Sequence, residues 1–170
     1  MRLRGEGVTL TPFVQQLATE YGDKGELAVH AYLLGLYPEP MYQVTHWPTG
    51  ETGVDFLVTT SGSGANPLPV FWADSEVRTE WREGLFRFDT IHVPFRKRGM
   101  IEALKPFYYF GVRSDYRLAY IIPGTAILKS PVILVKNRVH PTGDDMFDVA
   151  RDYARNYVDL VSGEMLYDER

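Results

Sequence analysis

Hydrophobic spacing near the N-terminus predicts a helical region over residues 11–37. Pro12, directly after a threonine that suits an N-cap, takes the first helical position. Gly22 and Gly25 interrupt the region, so we expect a second helix over about residues 24–35. Apolar residues recur at helical intervals of three or four: Phe13, Leu17, Tyr21, Leu27, Ala31, Leu34.

Three runs rich in β-forming residues follow. They cover residues 41–47 (MYQVTHW), 54–60 (VDFLVTT) and 70–78 (VFWADSEVR). Glycine-rich turns separate the runs. Strands joined by such turns pair with their sequence neighbours, and the pattern therefore predicts an antiparallel meander.

The second half of the chain contains both strand-like and helix-like hydrophobic patterns. Residues 90–95 form a short strand pattern, a basic segment then leads into a helix that Pro106 ends, and two strands flank Ser114. Further extended pieces occupy residues 126–139. The pattern then predicts a last helix over residues 146–160, capped by Asp144 or Asp145, with one apolar face: Phe147, Ala150, Tyr153, Ala154, Tyr157, Leu160.

The order of elements predicts the fold class. Helix, three strands, helix, further strands and helix do not alternate regularly as βαβ units do. We therefore expect an α/β protein with a mixed central β-sheet flanked by helices. A chain of 170 residues suits one domain over residues 1–170.

The amino-acid composition excludes several kinds of functional site. The chain has no cysteine, which excludes disulfides, a thiolate nucleophile and a cysteine zinc site. Its net charge of -4 argues against a uniformly basic nucleic-acid binder, although local basic patches can still bind phosphate. No apolar run approaches a membrane span or a secretory signal, so we expect a soluble, cytoplasmic protein.

Carboxylates cluster where two of the predicted strands begin and end. Asp55 opens the second strand, and Asp74, Glu76 and Arg78 alternate along the third, so these three side chains share one face. If the two strands pair, Asp55 lies near Glu76. Clustered acids repel one another unless a cation lies between them, and oxygen-only ligation suits Mg2+ or Mn2+. The alternative is a solvated strand face on which Arg78 pairs with Glu76.

These residues resemble the PD-(D/E)XK nuclease superfamily, which has the restriction-endonuclease-like fold. Asp55 matches the first acid of its motif, Glu76 matches the second, and Glu26 matches the helix glutamate that often completes the metal site. The resemblance covers roughly residues 22–78. It implies a metal-dependent nuclease with Asp55, Glu76 and Glu26 as metal ligands, and Glu26, Asp55, Glu76 and Arg78 as the catalytic group.

Arg78 departs from the motif, which has lysine at this position. Arginine remains protonated and is no general base, but it can bind phosphate. Three explanations stay open: Arg78 stabilises charge while the metal activates water, a lysine from elsewhere such as Lys97 or Lys24 takes over, or the protein binds without cleaving. Asp74 shares the parity of Glu76 and is treated as peripheral to the site.

A dense basic run, Arg96, Lys97 and Arg98, follows the fourth predicted strand. In the nuclease hypothesis these side chains contact the phosphate backbone of nucleic acid, most simply DNA. The sequence thus predicts a Mg2+- or Mn2+-dependent nuclease, and leaves a homodimer open. The rival hypothesis is a catalytically inactive nucleic-acid-binding or assembly module on the same fold.

Overall fold

A mixed seven-stranded sheet forms the centre of the fold in our computed structural model, which describes residues 22–47, 53–61, 66–136 and 141–169. The strands, in chain order, are β1 (Tyr42–His46), β2 (Phe56–Thr60), β3 (Pro69–Arg78), β4 (Thr90–Pro94), β5 (Phe107–Arg113), β6 (Leu118–Pro123), β7 (Val132–Val135), β8 (Asp144–Ala150), β9 (Asn156–Asp159) and β10 (Met165–Tyr167). The α-helices in the described ranges are α1 (Asp23–Leu36), α2 (Arg98–Ala103) and α3 (Gly124–Lys129).

Two sheets share these strands. The larger has the order β1-β2-β3-β5-β6-β9-β10, and the smaller has the order β4-β8-β7. Within the larger sheet β3 and β5 are parallel, while the other neighbours pair antiparallel. Parallel neighbours need a long crossover, and here β4 and α2 supply it.

Helix α1 covers one face of the larger sheet. Val29, Tyr32 and Leu33 are spaced by three and one, which places them on one side of the helix, and they are buried against Phe56 and Phe71 of the sheet. The opposite face packs against the smaller sheet and the short helices through a second core, which includes Tyr109, Tyr120, Tyr157, Ile91, Val93, Phe147 and Val149. The larger sheet is therefore buried on both faces.

Most of the predicted strands are confirmed. β1, β2 and β3 form the expected antiparallel meander, and β5 and β6 form the predicted pair on either side of Ser114. Helix α1 agrees closely with the predicted second helix, and α2 lies where a helix was expected before Pro106. The first part of the predicted N-terminal region, residues 11–21, lies outside the described residues.

The predicted last helix is wrong. Its sequence instead forms β8, a 3-10 turn (Arg151–Ala154) and β9. Phe147 and Val149 are buried two residues apart, with the more exposed Asp148 between them, which is strand periodicity. The apolar residues of this segment fit both the helical and the strand periodicity. The pairing of β8 with β4 and β7 selects the strand.

The prediction of extended structure over residues 126–139 is partly wrong. Its first residues belong to α3, and β7 follows as the extended segment. No α-helix in the described ranges is long and apolar enough to cross a bilayer.

Candidate functional site

The pairing of β2 with β3 brings Asp55 against the middle of β3. Phe56 is paired with Ala73, so the position before β2 lies beside Asp74. The Asp55 amide donates to the Ala73 carbonyl (3.2 Å), and Asp55 Oδ2 accepts from the amide (2.7 Å) and the hydroxyl (3.0 Å) of Ser75. The sequence predicted Glu76 as the acid near Asp55 and treated Asp74 as peripheral; this is wrong, because the register places Asp74 beside Asp55.

Asp74 is the most buried carboxylate of this group, with 2 % of its surface exposed. Its Oδ2 contacts the ammonium of Lys97, and its negative charge acts on the neighbouring Asp55. Lys97 ends the 3-10 turn (Phe95–Lys97) that follows β4, and the smaller sheet therefore delivers this cation to the larger one. A basic residue 23 positions away in sequence is thus part of the acidic site.

The two aspartates hold protons more strongly than ordinary carboxylic acids. Burial raises the pKa of Asp55 to about 7, and the negative charges of Asp74 and Glu26 add to this effect, while the hydrogen bonds from Ser75 oppose it. Burial also raises the pKa of Asp74, although the Lys97 ammonium acts in the opposite direction. Near neutral pH the pair therefore holds a proton that a cation of higher charge can replace.

Arg78 lies inside the protein and is fully engaged there. Its Nε donates to the Tyr120 hydroxyl (3.0 Å), and its Nη2 donates to the Tyr109 hydroxyl (2.8 Å) and the His92 carbonyl (2.8 Å). Its Nη1 lies 3.4 Å from Glu76 Oε1. The negative charge of Glu76 raises the pKa of Arg78 despite burial, so the guanidinium stays charged.

Glu76 is held between Arg78 and Tyr109. The Tyr109 hydroxyl donates to Glu76 Oε2 at 2.6 Å and accepts from Arg78, so it links the two charged groups. Burial by itself raises the pKa of Glu76, but the Arg78 charge and the Tyr109 hydrogen bond outweigh it and leave the pKa lowered. Glu76 is therefore an ionised carboxylate with 38 % of its side chain exposed.

Gly111 makes room for the Tyr120 ring beside this cluster. A Cβ atom at Gly111 would lie 2.0 Å from Tyr120 Cζ, which is far inside contact distance. The absence of a side chain lets Tyr120 cross β5 and direct its hydroxyl to Arg78. The sequence carries no local signal for this contact, because Arg78 and Tyr120 are 42 residues apart.

Glu26 lies on the first turn of α1 and is 6 % exposed. Its Oε2 is 3.0 Å from His46 Nε2, and the His46 ring stacks on Phe56 with centroids 5.0 Å apart. The carboxylate also acts electrostatically on Asp55. The four acids thus form a series, Glu26, Asp55, Asp74 and Glu76, in which each influences the next.

The three residues of the basic run point to different partners. Lys97 contacts Asp74, Arg96 lies 3.4 Å from Asp144, and Arg98 pairs with Glu102 one helical turn away at 2.8 Å. The side chains of Arg96 and Arg98 are 69 % and 54 % exposed. Both arginines therefore stay accessible to an anion, and the charge of Arg96 also acts on Glu76.

No group of three His, Cys, Asp or Glu side chains in the described ranges is already gathered as a metal-binding set. No known family model, curated protein or solved structure matches the chain. The site therefore has to be judged on its own chemistry. Its main addition to the sequence prediction is the buried pair Asp55 and Asp74 with Lys97 in contact.

Proposed function

We propose that this chain is a metal-dependent nuclease that hydrolyses phosphodiester bonds of nucleic acid, most simply DNA, on a restriction-endonuclease-like fold. The observation that carries the proposal is that the β2–β3 register places two buried acids, Asp55 and Asp74, beside each other, with the Lys97 ammonium in contact with Asp74. Burying two acids side by side is unfavourable for folding, and such arrangements are concentrated at functional sites.

The carboxylate oxygens of these residues are the type of ligand that Mg2+ and Mn2+ prefer. Both ions prefer oxygen ligands, and Mg2+ commonly takes only one or two carboxylates from the protein, with water and substrate phosphate completing its coordination. Asp55 and Asp74 are the pair that would hold the ion, and Glu76 offers a further ionised carboxylate on the same face of β3. Bound there, a divalent ion would supply positive charge to the phosphoryl oxygens of the substrate.

Lys97 supplies the basic group that Arg78 does not. Its ammonium contacts Asp74 at the acid pair, where it can bind a phosphate oxygen or transfer a proton. The contact supports the second of the three explanations for Arg78, in which a lysine from another segment takes the role of the motif lysine. Such a residue would act directly on the substrate.

Arg78 is better described as a positioning residue. Its donors bind Tyr109, Tyr120 and the His92 carbonyl, and only 10 % of its side chain is exposed, so little of it can meet a phosphate. Through Tyr109 and its own Nη1, it orients the Glu76 carboxylate. The exposed side chains of Arg96 and Arg98 then provide the contacts to the nucleic-acid backbone.

A plasmid-nicking assay tests the proposal. The wild-type protein should convert supercoiled DNA to nicked or linear DNA with Mg2+ or Mn2+, and not with EDTA. Asp74→Asn and Asp55→Asn keep side-chain volume, and each should reduce cleavage by roughly a hundredfold or more, since each removes a charge at the reacting phosphate. Lys97→Met should cause a comparable loss.

Lys105→Met serves as the matched control, because Lys105 is exposed and makes no ion pair with a described residue. It should cleave as the wild type does. Normal cleavage by Asp74→Asn, or equal losses in Lys97→Met and Lys105→Met, would show that the site is elsewhere.

The second candidate is a nucleic-acid-binding or assembly module without catalysis. The observation that favours it is that Arg78, at the position of the motif lysine, binds groups inside the protein and therefore has a structural role. Calorimetric titration with Mn2+ separates the two functions. Binding that disappears in Asp74→Asn favours the nuclease, whereas salt-sensitive DNA binding without any Mn2+ binding favours the module.

A further inference from the structure

Strand β7 presents an apolar edge that no other strand of the described residues covers. It is the outer strand of the smaller sheet, and it pairs with β8 alone. Its consecutive residues Val132, Ile133 and Leu134 are 45 %, 38 % and 59 % exposed. Successive side chains point to opposite faces of a strand, so both faces of β7 carry an exposed apolar side chain, and no strand of the described residues pairs with its outer backbone groups.

Strand β10 presents a second edge of the same kind. It is the outer strand of the larger sheet beyond β9, with Met165, Leu166 and Tyr167 exposed by 54 %, 38 % and 60 %. An exposed apolar edge strand is a ready template for another strand, and proteins usually protect such an edge with charge or cover. These two edges have opposite charges at their ends.

The flanking residues of β7 are basic and those of β10 are acidic. Lys129 and Lys136 lie on either side of β7, and Glu164 and Glu169 lie on either side of β10. All four side chains are exposed, and none forms an ion pair with another described residue. The two edges are therefore complementary to each other and not to themselves.

We propose that β7 of one copy of this chain pairs antiparallel with β10 of a second copy. In the register that places Glu164 opposite Lys136, the three exposed residues of β10 all meet residues of β7: Met165 with Val135, Leu166 with Leu134, and Tyr167 with Ile133. The contact joins the two kinds of sheet and removes three exposed apolar residues of β10 from water. Pairing of β7 with another β7 would bring basic ends together instead.

This contact is heterologous, because the copy that contributes β7 keeps its β10 edge unused and the copy that contributes β10 keeps its β7 edge unused. Further copies can add at both ends, so the assembly grows with concentration unless the rotation closes a ring. High salt should weaken it, because the flanking charges are exposed.

Sedimentation velocity over a concentration series tests the proposal. The wild type should associate as concentration rises. Lys136→Glu and Glu164→Lys should each weaken association by roughly tenfold, since each places like charges opposite one another. Mixed in equal amounts, the two variants should associate again, because the reversed basic edge of one complements the reversed acidic edge of the other.

Lys105→Glu and Glu83→Lys are the matched controls, since both residues are exposed and lie outside the two edges. They should associate like the wild type. A wild type that stays monomeric into the millimolar range overturns the proposal. So does normal association of either Lys136→Glu or Glu164→Lys, which would indicate that one edge pairs with itself, and so does a mixture that behaves as its components do.

Discussion

At the scale of single residues, Asp55 and Asp74 share one buried environment and compete to be ionised. Asp55 is 9 % exposed and Asp74 is 2 % exposed, so solvent screens their repulsion poorly. The hydrogen bonds from Ser75 and the Lys97 ammonium offset only part of that cost. The pair should therefore leave a measurable signature in the pH dependence of stability.

The pKa of Asp55 is near 3.8 when the chain is unfolded and about 7 when it is folded. Between these pH values the folded state binds more protons, so the free energy of unfolding should fall as pH rises, by up to about 1.4 kcal/mol per pH unit, and then level off. Asp55→Asn removes this contribution. The difference between wild type and Asp55→Asn in urea unfolding, measured from pH 4 to 8, should show the slope.

Ser61→Ala provides a control for that series, as Ser61 is exposed and carries no titratable group. Its unfolding free energy should parallel the wild type at every pH. Parallel curves for Asp55→Asn as well would mean that Asp55 titrates normally.

A second prediction at this scale concerns Arg78. Arg78→Met removes the buried hydrogen-bond partner of Tyr109, Tyr120 and the His92 carbonyl, and it should therefore lower the free energy of unfolding by about 1–3 kcal/mol. Arg98→Met is the control, because Arg98 forms an exposed pair with Glu102. It should cost less than about 1 kcal/mol. Equal effects in chemical denaturation would contradict the positioning role of Arg78.

At the scale of elements, the approach of α1 to β3 depends on one glycine. A Cβ atom at Gly25 would lie 2.4 Å from Val77 Cγ2, so the helix packs at this point with no room for a side chain. The neighbouring residue of α1 is Glu26, whose carboxylate acts on Asp55. The short distance between α1 and β3 therefore also fixes the position of Glu26, the first residue of the acidic series.

Gly25→Ala should destabilise the protein by about 1–3 kcal/mol, because it overpacks this contact. Gly35→Ala, in the same helix, meets nothing within 4 Å and should stabilise by about 0.5–1 kcal/mol through helix propensity. Thermal unfolding of both variants checks the contrast. Adding Val77→Ala to Gly25→Ala should recover part of the loss, and additive effects of the two substitutions would argue against direct contact.

At the scale of the whole molecule, the larger sheet belongs to both cores. Tyr109 and Tyr120 pack toward the smaller sheet, while Phe110 and Ala119, their neighbours on β5 and β6, pack toward α1. Separating either layer exposes apolar surface on strands that support the other. The two layers of the described ranges therefore depend on the same sheet.

We expect a single cooperative unfolding transition. Trp81 is 2 % exposed in the core facing the smaller sheet, so tryptophan fluorescence reports on that layer, while far-ultraviolet circular dichroism reports on all elements together. Guanidinium titrations followed by the two signals should coincide. Separate midpoints would instead indicate that the layers unfold independently.

The meander, α1 and α2 followed from local pattern, while α3 and the C-terminal part did not. Strands β1, β2 and β3 were predictable because alternation, β-branched residues and glycine turns all agreed there. Residues 146–160 were misassigned because Phe147, Ala150 and Ala154 suit a helical face as well as strands and a turn. Only pairing with β4 and β7 decided their conformation, and that pairing is non-local.

The sequence by itself determined the kinds of groups available for chemistry: acids on alternating positions of β3, an acid before β2, a helix glutamate, and arginine in the place of lysine. Tertiary structure alone decided how they combine. The β2–β3 register made Asp74 the partner of Asp55, and the packing of the smaller sheet brought Lys97 to Asp74 and the His92 carbonyl to Arg78. These contacts join residues 14 to 23 positions apart, over distances at which side-chain spacing carries no information.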